Sequence, residues 1–225
     1  MAQYKGADDE LRYEGNYYAL PYMMNIYCIF YNKTMFDKVG VPYPSDDMTW
    51  EEYADLCEKM TFGEGAEKVY GGFFNTTSTA LTNMAICNGK NEFITDDYSY
   101  LKPYYELFLD MHKKGIVMDY STIKTNSLVF TQCFYKQQIA TFYQGTWSIG
   151  YIVQQAKTKG LDFEWGIAAS PHSSDGGAPG DVIGQVHPIC INSKSKLLDE
   201  AFDYLSFVCA TEEGAQVVAD TGCIP

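Results

Sequence analysis

The chain has 225 residues, 46% hydrophobic and 20% charged, a length and balance that support a substantial core, in one large domain or two modest ones, and exclude disorder as the default. A net charge of −13 with a pI near 4.5 argues against a nucleic-acid partner, whose phosphate backbone needs clustered Lys and Arg. Anionic small ligands are disfavoured more weakly, and neutral or cationic ligands fit the balance.

No apolar run approaches the roughly 18 residues of a membrane helix, and no signal segment opens the chain, which therefore reads as trimmed at its start. The 19 Tyr and 13 Phe exceed what core filling needs, and Tyr suits wet contact surfaces. The seven Cys show no C-x-x-C pair and no metal-like spacing. They read as small buried hydrophobes in a protein either reduced in its cytosol or exposed on an anaerobe's surface.

Residues 1–15 form a polar lead-in, a short strand covers Tyr17 to Leu20, and Ile26 to Tyr31 is apolar throughout, as a strand buried on both faces should be. Asn32 opens a helix that Gly40 closes. After Val41-Pro42-Tyr43-Pro44, the run Thr49-Trp50-Glu51-Glu52 spells a capping box, and Tyr53, Leu56, Cys57 and Met60 stripe one helix face. Val69 to Phe74 is a predicted strand that empties into Asn75-Thr76-Thr77-Ser78-Thr79. Those short hydrogen-bonding side chains suit ligand hydroxyls and suit capping of the next helix, Ala80 to Cys87, equally well.

A helix over Ser99 to Lys114 ends at Gly115, and Leu128 to Tyr135 is another. A buried strand at Ile139 to Tyr143 stops at Gly145, so that Trp147 opens the next helix with Thr146 and Ser148 beside it. This builds a stacking surface for a ligand with an apolar face and a polar rim, and it equally describes a Trp that caps the sheet from inside. The Trp147 helix ends at Gly160; a strand over residues 163–169, a Ser/Gly/Pro loop over 172–180, a strand over 182–192 with an edge-marking Pro188, and two helices complete the chain. Alternating strands and helices make the class α/β.

Catalysis leaves little trace. Ser148 lacks the G-x-S-x-G elbow, His112, His172 and His187 have no partner at ligand spacing, and the 176–180 Gly run is no P-loop. The pairs Asp46-Asp47 and Asp96-Asp97 sit in polar loops without an apolar pocket to raise a pKa. No enzyme activity, cofactor or metal is expected.

Leu20-Pro21-Tyr22, Ile29 to Phe36, Gly40-Val41-Pro42, Thr49 to Glu52, Gly145-Thr146-Trp147, Trp165 to Pro171, Ile189 to Ser195, Glu200 to Leu205 and Gly222 to Pro225 follow one another in the order of a known family. The chain resembles the extracellular solute-binding proteins of carbohydrate ABC transporters, the maltose-binding type. The resemblance implies a type II periplasmic-binding-protein-like fold, present as one complete lobe plus part of the second. Residues 1–30 would be a remnant of the first lobe with a hinge strand, 31–165 the complete lobe, and 166–225 a second hinge strand and the returning first lobe, with crossings near 27–30 and 166–171. It also implies ligand contacts at Trp147, Asn75, Thr77, Ser78, Thr79, Tyr22, Asp181, Gln185 and His187. The partners would be a sugar or oligosaccharide held by hinge closure and the permease that receives it. The place would be the cell surface or periplasm, with membrane attachment only through a lipid anchor absent here. The alternatives are a carbohydrate-active enzyme and a non-catalytic interaction fragment.

Overall fold

The computed structural model describes residues 11–75, 79–87, 90 and 93–225, with residues 79 and 80 by backbone alone. A short hairpin, β1 (Arg12–Tyr13) and β2 (Asn16–Tyr17), turns at Glu14 and Gly15, both with positive φ, where sequence predicted only a polar lead-in. The predicted Tyr17–Leu20 strand is not formed. Leu20 instead begins β3 (Leu20–Asn32), which runs through the predicted 26–31 strand in one piece of 13 residues.

β3 pairs antiparallel with three partners. Its second half lies between β4 (Thr141–Gly145), matched over Tyr27 to Tyr31, and β5 (Trp165–Ala168), matched over Ile29 to Asn32. Its first half, Leu20 to Ile26, pairs with β6 (Gly184–Ile189), and a bulge between Pro21 and Met23 leaves Tyr22 outside the ladder. β3 therefore changes sheets at the Ile26/Tyr27 step.

The period-2 alternation of strands sends neighbouring β3 side chains into two cores. Ile29 and Tyr31, with Tyr143 and Ala168, meet α2 (Trp50–Lys59), α3 (Thr79–Ile86) and α4 (Lys102–Lys113). Cys28 and Phe30, with Phe142, meet α5 (Tyr120–Thr125), α6 (Phe130–Tyr135) and α7 (Ser148–Lys159). Phe30 and Phe142 stack with centroids 4.7 Å apart. Helix ends follow their caps: Asn32 and Gly40 bracket α1 (Lys33–Val39), Thr49 and Glu52 close the capping box of α2, and Gly160 ends α7. Unforeseen α5 is capped by Asp119, whose side chain accepts from Thr122 N. The last two helices, α8 (Leu198–Ala210) and α9 (Glu212–Asp220), pack on β3 and on each other. α8 leaves Phe202 58% and Tyr204 63% exposed, an apolar surface unlike the sealed cores around β3.

Residues 69–74 make isolated parallel bridges, Tyr70 to Ile139, Gly72 to Val117 and Phe74 to Tyr143, rather than the predicted regular strand. Gly71 is the reason. A Cβ there would come 1.8 Å from the Cys57 carbonyl oxygen, so the segment is pressed onto α2 instead of standing in an open ladder. All seven cysteines are free, and burial pushes the Cys28 and Cys57 thiols up to about 12.

One buried polar contact fastens this segment. Thr141 Oγ1 donates to the Gly71 carbonyl at 2.7 Å, which uses its only proton, so the Tyr53 hydroxyl 2.8 Å away must donate to Thr141. Thr141→Val keeps the shape and orphans the Tyr53 hydroxyl, which is expected to cost about 1–3 kcal/mol. A urea midpoint lowered at unchanged m-value, and partly restored by adding Tyr53→Phe, checks this.

Candidate functional site

The end of β4 and the sheet change in β3 lie side by side. Trp147, in helical conformation (φ −56°, ψ −20°), is the N-cap residue of α7 and is partly exposed. A Cβ on Gly145 would come 1.9 Å from its indole, so the ring lies directly over the Gly145 Cα and no other residue fits there. The indole meets Tyr27 edge-on with centroids 5.4 Å apart, and Tyr27 in turn lies 5.2 Å from Tyr143, which meets Trp50 at 5.0 Å. An aromatic column from the core thus backs the Trp147 ring. Burial raises the Tyr27 and Tyr143 phenols, so the column stays uncharged.

Thr146 and Ser148, expected beside the ring as ligand hydroxyls, are instead 4% and 0% exposed. Thr146 is taken up in a network that sequence reasoning missed. The buried Asn25 donates from Nδ2 to His187 Nε2 at 2.8 Å and accepts at Oδ1 from Thr146 Oγ1 at 3.2 Å. Thr146 is also tied through its backbone, its N–H donating to the Ile26 carbonyl at 2.9 Å. The residue preceding Trp147 is therefore bonded, through one amide, to β6. The available signal was Asn25 itself, a polar side chain inside the apolar run that becomes β3.

The other expected contact residues divide. Asn75 is half-buried one residue past the Phe74–Tyr143 bridge, at the same end of the sheet as Gly145 and Trp147. Gln185 and His187 share one face of β6, opposite Asn25 and Met23, with Gln185 exposed. Tyr22 is the bulge residue near the far end of β3. Asp181 closes a local turn, accepting from Ala178 N at 2.8 Å. Thr79 starts α3 as backbone only, and Thr77 and Ser78 lie outside the described residues.

Both members of the first acidic pair and Asp97 of the second are already engaged. Asp46 accepts from Ala169 N at 2.8 Å and Asp47 meets His172 Nε2 at 3.1 Å, while the Trp50 N–H donates to the His172 carbonyl. The Ser99 N–H and hydroxyl hold the Asp97 carboxyl below the usual carboxylate range, the opposite of a general acid. Through these contacts residues 169–175 stay fastened to the α2–α4 side, and the crossover to β6 falls in 176–183 rather than at the expected 166–171.

Among the described residues no group of His, Cys, Asp and Glu is placed to hold a metal, and no helix is long and apolar enough to cross a membrane. Helices on both faces of a sheet, with a partly exposed Trp where one strand passes into a second sheet, define a periplasmic-binding-protein-like architecture. The chain belongs to the bacterial extracellular solute-binding protein family, whose profile matches residues 2–225. That family binds solutes outside the cytoplasm and does not transform them.

The chain is 26% identical over 226 residues to the sn-glycerol-3-phosphate-binding periplasmic protein of Salmonella typhimurium, covering 94% of this chain and 49% of that one. It is similar in structure to a sugar transporter of Rhizobium etli in an open conformation, at 36% identity and a TM-score of 0.85, with 98% of this chain and 56% of that one covered. It shares the fold of a Listeria monocytogenes ABC substrate-binding protein solved with cycloalternan, at 22% identity and a TM-score of 0.81, covering 98% and 55%. The chain spans about half the length of the curated relatives it matches.

Two substitutions test the geometry. Gly145→Ala is expected to displace the Trp147 indole, seen as a moved indole N–H resonance and greater quenching, with Trp50 and Trp165 unchanged. Asn25→Ala leaves His187 and Thr146 without their shared partner and is expected to cost about 1–3 kcal/mol, read from urea unfolding.

Proposed function

We propose that this chain is the ligand-gripping part of the substrate-binding component of an ABC importer, taking a sugar or oligosaccharide between two lobes and passing it to a membrane permease. The complete lobe would run from about residue 27 to residue 175, a little wider than the expected 31–165, with the stretches before and after it belonging to the second. The observation that carries the reading is the Trp147 ring, held over Gly145 and left partly exposed where β3 changes sheets. A pyranose face stacks on such a ring while amides and an imidazole nearby bond its hydroxyls. Asn75, Gln185 and His187 supply those groups, with Tyr22, Asp181 and residues 77–79 as further contacts.

The choice of a neutral saccharide over a phosphate ester rests on charge. The whole sequence contains a single arginine, Arg12, and that residue bonds Tyr17 within the β1–β2 hairpin, on a chain of net charge −13. Bidentate phosphate recognition is the task for which arginine is fitted. Closure would bend the structure at the β3 sheet change and in 176–183.

Calorimetry of this chain with neutral mono- and oligosaccharides and with glycerol 3-phosphate is the test. Saccharide binding is expected to exceed glycerol-3-phosphate binding, and Trp147→Ala to weaken it at least about tenfold, roughly 1.4 kcal/mol, at unchanged unfolding midpoint. Tighter binding of glycerol 3-phosphate, or no effect of Trp147→Ala, overturns the reading.

A further inference from the structure

Outside the Trp147 region, the side of the molecule formed by α6 and α7 carries a groove of about 800 Å³, within the usual range for ligand sites of roughly 300–1,000 Å³. Its walls hold two tyrosines, Tyr135 and Tyr151, and otherwise side-chain amides, hydroxyls and ammonium groups, among them Gln154, Gln155, Lys136 and Lys159. None of the described lining residues is acidic, on a chain with 29 Asp and Glu against 16 Lys and Arg. Tyr151 is 57% exposed, so its ring adds little to the core and is available to an outside partner.

Trp147 does not itself line the groove, but helical spacing puts the groove's Tyr151 one turn beyond it. Trp147 already has helical backbone angles, and Tyr151, Gln154 and Thr158 follow at four, seven and eleven residues beyond it, one stripe along α7. An aromatic ring thus begins this stripe where β4 ends, a second ring stands one turn along it, and amide and hydroxyl side chains follow. Flat apolar faces interleaved with neutral donors and acceptors match the alternation of ring faces and hydroxyl rims along a glycan.

We propose that the α6–α7 groove is a second saccharide-binding surface, holding those units of a long oligosaccharide that extend past Trp147. The inference rests on the saccharide reading of Trp147 and adds a chain-length preference to it. Short ligands end at the Trp147 ring; longer ones gain the Tyr151 face and the Gln154 amide. The described lining residues all lie within 131–159, so the test can be made on this chain.

The test is calorimetry with short and long members of malto-, manno- and cello-oligosaccharide ladders, paired with NMR of the Tyr135 and Tyr151 ring resonances. The expected result is affinity that rises with length by about tenfold or more in at least one ladder, with the ring resonances moving only for long members. Tyr151→Ala, and separately Gln154→Ala, should remove the length increment, leave short-ligand affinity intact and keep the unfolding midpoint. Length-independent affinity that still requires Trp147 overturns the groove proposal and spares the reading beneath it. Equal weakening of short and long ligands by Tyr151→Ala, or unmoved tyrosine resonances, also overturns it. Absence of binding to every member of all three ladders overturns both.

Discussion

The structure depends on one strand serving two sheets. β3 gives its first seven residues to β6 and its remainder to β4 and β5, so the partner change at Ile26/Tyr27 must leave no backbone group unpaired. The Thr146 backbone and hydroxyl complete Ile26 on that step, with N–H to carbonyl at 2.9 Å and the Ile26 N–H 3.3 Å from Oγ1. Asn25, 3% exposed, closes the same corner from the β6 side. A buried amide is tolerated only when its donors and acceptors are met, and here the two oxygen and nitrogen ends reach elements separated from it by 121 and 162 residues. Because Thr146 immediately precedes Trp147, the same corner that reconciles the sheets also fixes where the indole stands.

The two connections between the β4–β5 sheet and the β6 side differ in kind. β3 crosses as an unbroken strand, hydrogen-bonded along its length. The return path is stapled through Asp175 by Asp46, Asp47, Glu51, Tyr104 and Lys90, then crosses through Gly176, Gly177, Pro179 and Gly180, which form a turn closed on Asp181. On the proposed function, a stiff crossing beside a turn-rich one would let closure rotate the lobes about the stiff strand.

Much of this was legible in the chain. Helix ends were marked by local chemistry: Asn32 and Gly40, Thr49 with Glu52, and Gly160 act within a few residues of themselves, and local rules read them directly. Gly145 before Trp147 was legible for the same reason, since a ring lying over a Cα two residues back needs glycine there. The failures are non-local. Whether 69–74 becomes a regular strand depends on its pressing against Cys57, and α2 says nothing of that by its own pattern. Thr146 looked like an open hydroxyl because nothing near it in sequence announces a partner 121 residues away in Asn25. Local pattern likewise could not tell that Asp46 and Asp47 serve to hold residues 169–172.

The character of the corner also bears on what a ligand could do to it. Its bonds are neutral, amide to imidazole and hydroxyl to amide, each worth net about 0.5–1.5 kcal/mol, with no buried ion pair whose rupture would leave a charge stranded. A ligand bound with micromolar affinity brings roughly 8 kcal/mol at standard state, and only the part that distinguishes two lobe arrangements can shift their populations. Adjusting two or three neutral bonds at Asn25 lies inside that allowance, while breaking the β3 ladder or the sealed aromatic cores does not. On the proposed function, motion driven by a small neutral solute would therefore draw on the Asn25 corner and the 176–183 turn rather than on the β3 ladder.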